Sequence, residues 1–244
     1  GILIKDIVQK FNPDIVRYTI ASNLPENKDS EFTWKDLQAK NNNELAAILG
    51  NFINRTVVFT KNKFENKIPD RINPDAEIFD SIRAQSDIIS DHYDHFKLRD
   101  ALTETINIIR TANKYFNDTE PWKLVNTDKE KCAEFINNCL QICYSVSILI
   151  YPFLPFTSDK ILKILNQVKS DFNLSNIGKI ILKPGTELGE NEILLPQIED
   201  KQIEAEMNAG IENKSESKEK IGNVISMEDF KKVNLKVAKV LECE

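Results

Sequence analysis

Two short stretches carry side chains whose types and spacing could do recognition chemistry. In "NELAAILGNFINRTVVF", Asn51 and Arg55 stand four residues apart, so on a helix they emerge together while Leu45, Ile48, Leu49, Phe52 and Ile53 can face inward. An amide beside a guanidinium offers donors and an acceptor in fixed geometry, which suits the Watson–Crick edge of an unstacked base. The same spacing also describes an ordinary solvated helix face. In "NKYFNDTEPWKLV", Pro121 and Trp122 follow a polar run in which Asn117, Asp118 or Thr119 could cap the next helix. A rigidly held Trp can serve as a stacking platform for single-stranded RNA, worth about 1 to 3 kcal/mol per base. A Trp between two helices can equally be a packing wedge.

Other candidates point to structure. His92 and His95 lie at i and i+3 beside Asp91 and Asp94, a spacing able to ligate a metal. No Cys or further His stands nearby in sequence, so an exposed helical turn is the expectation. Cys132, Cys139 and Cys143, spaced by seven and four, fall on one helical face and read as small core hydrophobes. Trp34 in "SEFTWKDL" reads as a packing residue. No nucleophile elbow, P-loop, dinucleotide fingerprint or zinc-finger spacing is visible, and neither a catalytic residue nor a metal ligand set is expected.

The elements that must position these residues are helical. From Ile4 to about Lys169, apolar residues recur at three- and four-residue spacing, as in "LRDALTETINIIRTANKYF" and "CAEFINNCLQICYSVSILI". Asn12-Pro13 and Asn73-Pro74 read as N-caps with proline at the first helical position. The fold class is therefore all-α, a bundle of five to six helices. From Gly178, "GKIILKPGTELGENEILLPQIED" has Gly and Pro punctuation and short β-branched runs, which predicts extended segments on the bundle's end. Residues 203–223 are polar and charged and read as a linker. Residues 224–244 read as the start of another domain, with Ser226 and Asp229 forming a capping-box-like helix start and "LKVAKVLE" alternating as a strand does.

The chain has 244 residues, 41% hydrophobic, enough for a sizeable core. A net charge of −6 excludes nucleic-acid binding by whole-molecule electrostatics, so any RNA site has to be local. Basic residues near Asn51, Arg55 and Trp122 are few: Lys61, Lys63, Lys114 and Lys123. Four cysteines and no secretory leader predict a reducing, cytoplasmic setting. The apolar run from Val146 to Leu154 is interrupted by Ser147 and Pro152, and no membrane segment is expected. The opening "GILIKDIVQK" and the closing "LKVAKVLECE" both look cut, as in a fragment.

These residues, in this order, resemble a known family. "IVRYTIASNLPENKDSEFTWKDLQAKNNNELAAILGNFINRTVVF", "ALTETINIIRTANKYFNDTEPWKL", "ILIYPFLPFTSDKI" and "KPGTELGENEILLPQIEDKQIEAEM" are similar to the helical anticodon-binding domain of bacterial methionyl-tRNA synthetases. Arg17-Tyr18 matches the arginine-tyrosine of the helix that follows the family's catalytic core. The tail "ISMEDFKKVNLKVAKVLE" resembles the first helix and strand of an appended OB-fold tRNA-binding domain, of which five strands would be needed for a barrel.

The resemblance implies an anticodon-binding domain over 1–202 with the returning extended segment, then the linker, then an incomplete OB start at 224–244. It implies that Asn51 and Arg55 read the first base of a CAU anticodon, that Trp122 stacks on it, and that Pro121 supports Trp122. The implied partners are methionine tRNA through its anticodon loop, the catalytic domain of the same chain, and a second copy through a complete C-terminal domain. ATP, Mg²⁺ and often zinc would serve the intact ligase, while the fragment needs no cofactor and is inactive alone. Two other readings stay open: a structural module holding catalytic and dimerising domains in register, and the related bundle of a synthetase for valine, isoleucine, leucine or cysteine.

Overall fold

A computed structural model describes residues 4–26, 29–169, 173–208 and 231–232. The chain divides into two units, Gly1–Ile203 and Glu204–Glu244. The first is helical: α1 (Ile4–Ile7), α2 (Pro13–Ser22), α3 (Trp34–Lys40), a π-helical segment (Asn41–Gly50), α4 (Asn51–Lys63), α5 (Ala76–Asp94), α6 (Leu98–Thr119), α7 (Pro121–Thr127), α8 (Lys129–Ile150) and α9 (Pro155–Ile164). These are more and shorter helices than the five to six expected, because Pro121 and Pro155 each start a new helix where the apolar period alone runs on. In the second unit, residues 204–208 are helical. The helix start at Ser226 and the alternating "LKVAKVLE" lie outside the described residues.

The start signals divide. Asn12 Oδ1 accepts from the Asp14 N–H at 2.9 Å and caps α2, with Pro13 at the first position. Asn73-Pro74 does not start α5. Asp75 caps it by accepting from Glu77 N–H, because Asn73 is engaged elsewhere: its side chain donates to Glu134 and its carbonyl accepts from Asn138.

Helix α8 is the hub. By length and composition it could cross a membrane, but from Cys132 onward it is almost wholly buried by its neighbours in the bundle. Its polar side chains explain how an amide-bearing helix occupies a core. Gln141 Oε1 accepts from Ile181 and Leu182 N–H at 2.8 Å each, and its Nε2 donates to Leu182 O at 3.0 Å. Asn137 donates to Pro69 O, and Ser145 Oγ accepts from Gly178 N–H. Gln141 and Ser145 thus do for the returning segment what a neighbouring strand would do, pairing its backbone, and Asn137 does the same for the loop at Pro69.

That segment runs irregularly back across the bundle, pairing with 66–68 through one antiparallel bridge, Lys67 with Glu187. Asn41, Asn42 and Gln38 side chains then hold Pro196 O and both backbone groups of Ile198. Gly189 packs so closely on Lys163 O that a Cβ would collide with it. At the other end, Asp14 accepts from Thr157 N–H and Oγ1 to cap α9, and Arg17 donates to Pro152 and Phe153 O.

Candidate functional site

Asn51 and Arg55 lie on the first two turns of α4, directly after the π-helical segment. The wider winding there brings Asn51 N–H back to Ala46 O and Ile48 O. Inward-facing Leu45, Leu49, Phe52 and Ile53 are buried, which fixes the opposite face outward.

Across from this face runs α6, and two of its side chains, one turn apart, receive the pair. Asn51 Nδ2 donates to Asn113 Oδ1 at 3.2 Å, and Arg55 Nη1 donates to Asn117 Oδ1 at 2.8 Å. The orientation of the first pair is forced. Asn113 Nδ2 is committed to Ile48 O at 2.9 Å and Ile109 O at 3.2 Å. Its oxygen therefore faces Asn51, which must present its NH₂. Asn51 Oδ1 is left as an acceptor without a partner among the described residues.

Aromatic rings complete the wall. The Arg55 guanidinium carbon sits 4.5 Å from the Phe116 ring centre and 5.9 Å from the Trp122 ring centre. Phe116 is buried, edge-on to Phe59 and Phe135, so the stack under Arg55 is rigid. Trp122 is 44% exposed, with one face on a cleft of about 270 Å³ lined by Asn54, Arg55, Phe59, Lys63 and Phe116. A second cleft, about 390 Å³, lies on the Asn51 side and is lined by Ile48, Asn113, Lys114, Asn117 and Arg110.

The turn that aims Trp122 is not capped by Asn117, Asp118 or Thr119. Asn117 Oδ1 is taken by Arg55, Thr119 Oγ1 donates to Tyr115 O, and Glu120 makes the corner in left-handed conformation, φ 48°. Glu120 O then accepts from Lys123 and Leu124 N–H. Pro121 is buried, and its carbonyl accepts from the Cys132 thiol at 3.7 Å, tying α7 to α8. Burial pushes that thiol up to about 11, with Asp128 adding to the effect, and pushes Cys143 up to about 12 and Cys139 well above its ordinary value. These are packed, protonated thiols.

Of the basic residues near the site, Lys114 and Lys63 line the two clefts, while Lys123 is paired with Glu120 at 2.7 Å. Trp34 is elsewhere, between Phe11 and Phe32 at 5.6 and 5.5 Å. His95 is bonded to Asp91 at its own helix end, and the described residues hold no group of three His, Cys, Asp or Glu able to bind a metal. Asn113 and Phe116 went unmarked in the sequence and Asn117 was read only as a helix cap, although the two asparagines repeat the four-residue spacing of Asn51 and Arg55.

Comparison with known proteins gives this geometry a context. The model of the "Anticodon binding domain of methionyl tRNA ligase" matches residues 70–212, and that of "tRNA synthetases class I (M)" matches residues 1–57. The methionine–tRNA ligase of Phocaeicola vulgatus is 39% identical over 244 residues, and that of Flavobacterium psychrophilum 41%. Each alignment covers 95% of this chain and 35% of the relative, so the chain spans about a third of the length of the curated relatives it matches. Among solved structures, the apo form of Mycobacterium tuberculosis methionyl-tRNA synthetase superposes with a TM-score of 0.72 at 22% identity, covering 80% of this chain and 40% of that one. That last likeness is one of fold.

Proposed function

Since this chain belongs to the family of methionyl-tRNA ligase anticodon-binding domains, we propose that Asn51, Arg55 and Trp122, with Pro121 as support, read the first base of a CAU anticodon in methionine tRNA. The observation that carries the proposal is the double clamp: Asn113 and Asn117 hold an amide and a guanidinium side by side next to an exposed indole. Cytosine offers one amino donor and two acceptors on its pairing edge. Asn51 Oδ1 accepts from the amino group, Arg55 N–H groups donate to the acceptors, and Trp122 stacks on the ring. Uracil puts a carbonyl where the amino group should be and faces it with an oxygen. The resulting unpaired groups cost about 1 to 3 kcal/mol.

Attachment of methionine, with its ATP and Mg²⁺, belongs in this reading to the parts of the longer relatives outside these 244 residues. The setting is the cytoplasm, where tRNA is charged.

Titration of Trp122 fluorescence with an anticodon stem-loop bearing CAU, against one bearing UAU, tests the reading. The CAU loop should bind about 5- to 150-fold more tightly, the factor equivalent to 1 to 3 kcal/mol. Equal affinities would overturn it.

A further inference from the structure

The cleft beside Asn51 has chemistry that base reading does not use. Its wall on α6 carries Arg110 and Lys114, one turn apart and both exposed. Like charges at this spacing repel, and among the described residues neither stands within ion-pair distance of a carboxylate, although Glu44 shares a neighbouring cleft with Arg110 and Asp118 lies on the same wall as Lys114. Arg110 donates only to the neutral Asn107 Oδ1, at 2.9 Å. Lys114 makes no ion pair, and Asp118, one turn on and also on the cleft wall, is not in contact with it. Other cations of the chain, Lys179 and Lys183 among them, also lack an ion pair among the described residues, so what sets Arg110 and Lys114 apart is their place, one turn apart on the wall of a single cleft beside Asn51.

The geometry points to a phosphate site: Arg110 and Lys114 hold the RNA phosphodiester backbone next to the nucleotide that Asn51, Arg55 and Trp122 receive. This rests on the base-reading proposal for the identity of the ligand. A phosphodiester fits because Arg110, Asn113, Lys114 and Asn117 form one ridge of α6. A strand whose base enters between Asn51 and Trp122 has its sugar–phosphate chain over the adjoining cleft, whose Asn51, Asn113 and Asn117 side chains lie beside the two cations and whose floor includes Ala47 and Ile48. The guanidinium and ammonium groups contribute affinity through counterion release and carry no base preference.

The test is fluorescence anisotropy of dye-labelled CAU and UAU stem-loops across a salt series. It compares the 244-residue chain with Arg110→Gln/Lys114→Gln, with the conservative Arg110→Lys/Lys114→Arg, and with Lys179→Gln/Lys183→Gln. The last pair is exposed, lies outside both clefts, and matches the change in net charge. The cleft double variant should bind both loops about tenfold more weakly at low salt, with the CAU-to-UAU ratio unchanged. Its slope of log affinity against log salt should be shallower by about 1.4, two contacts at about 0.7 each for a single strand. The conservative pair should restore the slope, and the remote pair should barely move it.

An unchanged slope in the cleft variant, with CAU preference intact, overturns the phosphate site alone. So does a cleft variant that loses the CAU preference, or a remote pair that shifts the slope equally. A slope that falls as expected in a chain that never prefers CAU overturns base reading and leaves the phosphate site standing. No binding of either loop overturns both.

Discussion

Arg55 Nη1 donates to Asn117 Oδ1 at 2.8 Å across helices 62 residues apart in sequence, and one turn away Asn51 meets Asn113 at the same separation. The side chains of Asn51 and Arg55 are therefore held in place by a second pair of residues on the facing helix. Asn117→Ala releases Arg55 to sample other rotamers while removing only an exposed side chain. Stability should stay within about 0.5 kcal/mol, and affinity for a CAU stem-loop should fall about 3- to 10-fold by anisotropy. Full retention of affinity would remove Asn117 from the site.

Trp122→Ala deletes a stacking face, and binding should weaken about 5- to 150-fold, from 1 to 3 kcal/mol per stacked base. Trp122→Phe should keep most of the affinity. Because the ring is 44% exposed, the unfolding free energy of either variant should change by less than about 1 kcal/mol. A large loss of stability in urea would mark Trp122 as a wedge between helices instead.

Gln141→Ala removes partners from Ile181 N–H, Leu182 N–H and Leu182 O at once. With about 1 to 3 kcal/mol for each orphaned buried group, partly relieved by relaxation, the loss should be about 3 kcal/mol in urea unfolding. A loss below 1 kcal/mol would mean that the returning segment is held by its apolar contacts, through Leu182, Leu188 and Leu194.

Raising pH should destabilise the chain. Burial raises the folded-state values of Cys132 to about 11 and Cys143 to about 12, and pushes Cys139 and the buried phenols of Tyr18, Tyr93 and Tyr115 upward as well. Each group keeps its proton to higher pH when folded, so above the unfolded thiol value near 8.5 the unfolded chain binds fewer protons. Stability from these groups is intact below that pH and falls as pH rises toward 11 to 12. Melting temperature should begin to drop above about pH 9, and Cys132, Cys139 and Cys143 should resist iodoacetamide at pH 8 until the chain unfolds. Rapid alkylation of Cys139 in the folded chain would contradict this.

Helix type and the inward face of α4 and the π-helical segment before it were legible because Leu45, Leu49, Phe52 and Ile53 recur at three- and four-residue spacing. The α2 start was legible because Asn12 caps with a proline behind it. Asn73-Pro74 misled for a physical reason: the same side chain that can cap a helix was recruited by Glu134, and capping fell to Asp75. Asn51, Arg55 and Trp122 announce themselves by residue type. Asn113 and Asn117 do not, because an asparagine on a polar helix face looks solvated until the opposing helix is placed. Gln141 and Asn137 were illegible for the converse reason, since a buried amide shows its purpose only when the backbone it pairs with has returned from 40 or more residues away.

The stitches that close this bundle have a consequence for how it assembles. Helical proteins usually fold fast because their contacts are local. Here Asp14 waits for Thr157, Arg17 for Phe153, and Gln38 for Asp200, separations of 143, 136 and 162 residues. Closing a loop of that size costs about 4.5 kcal/mol in chain entropy beyond a constant. During synthesis, α2 and α3 are made long before the segments their side chains cap and pair. The stretch from Phe153 to Asp200 thus acts as a drawstring. Refolding measured by stopped flow should show a slow closing phase that disappears in Gln141→Ala, where the drawstring has lost its main knot.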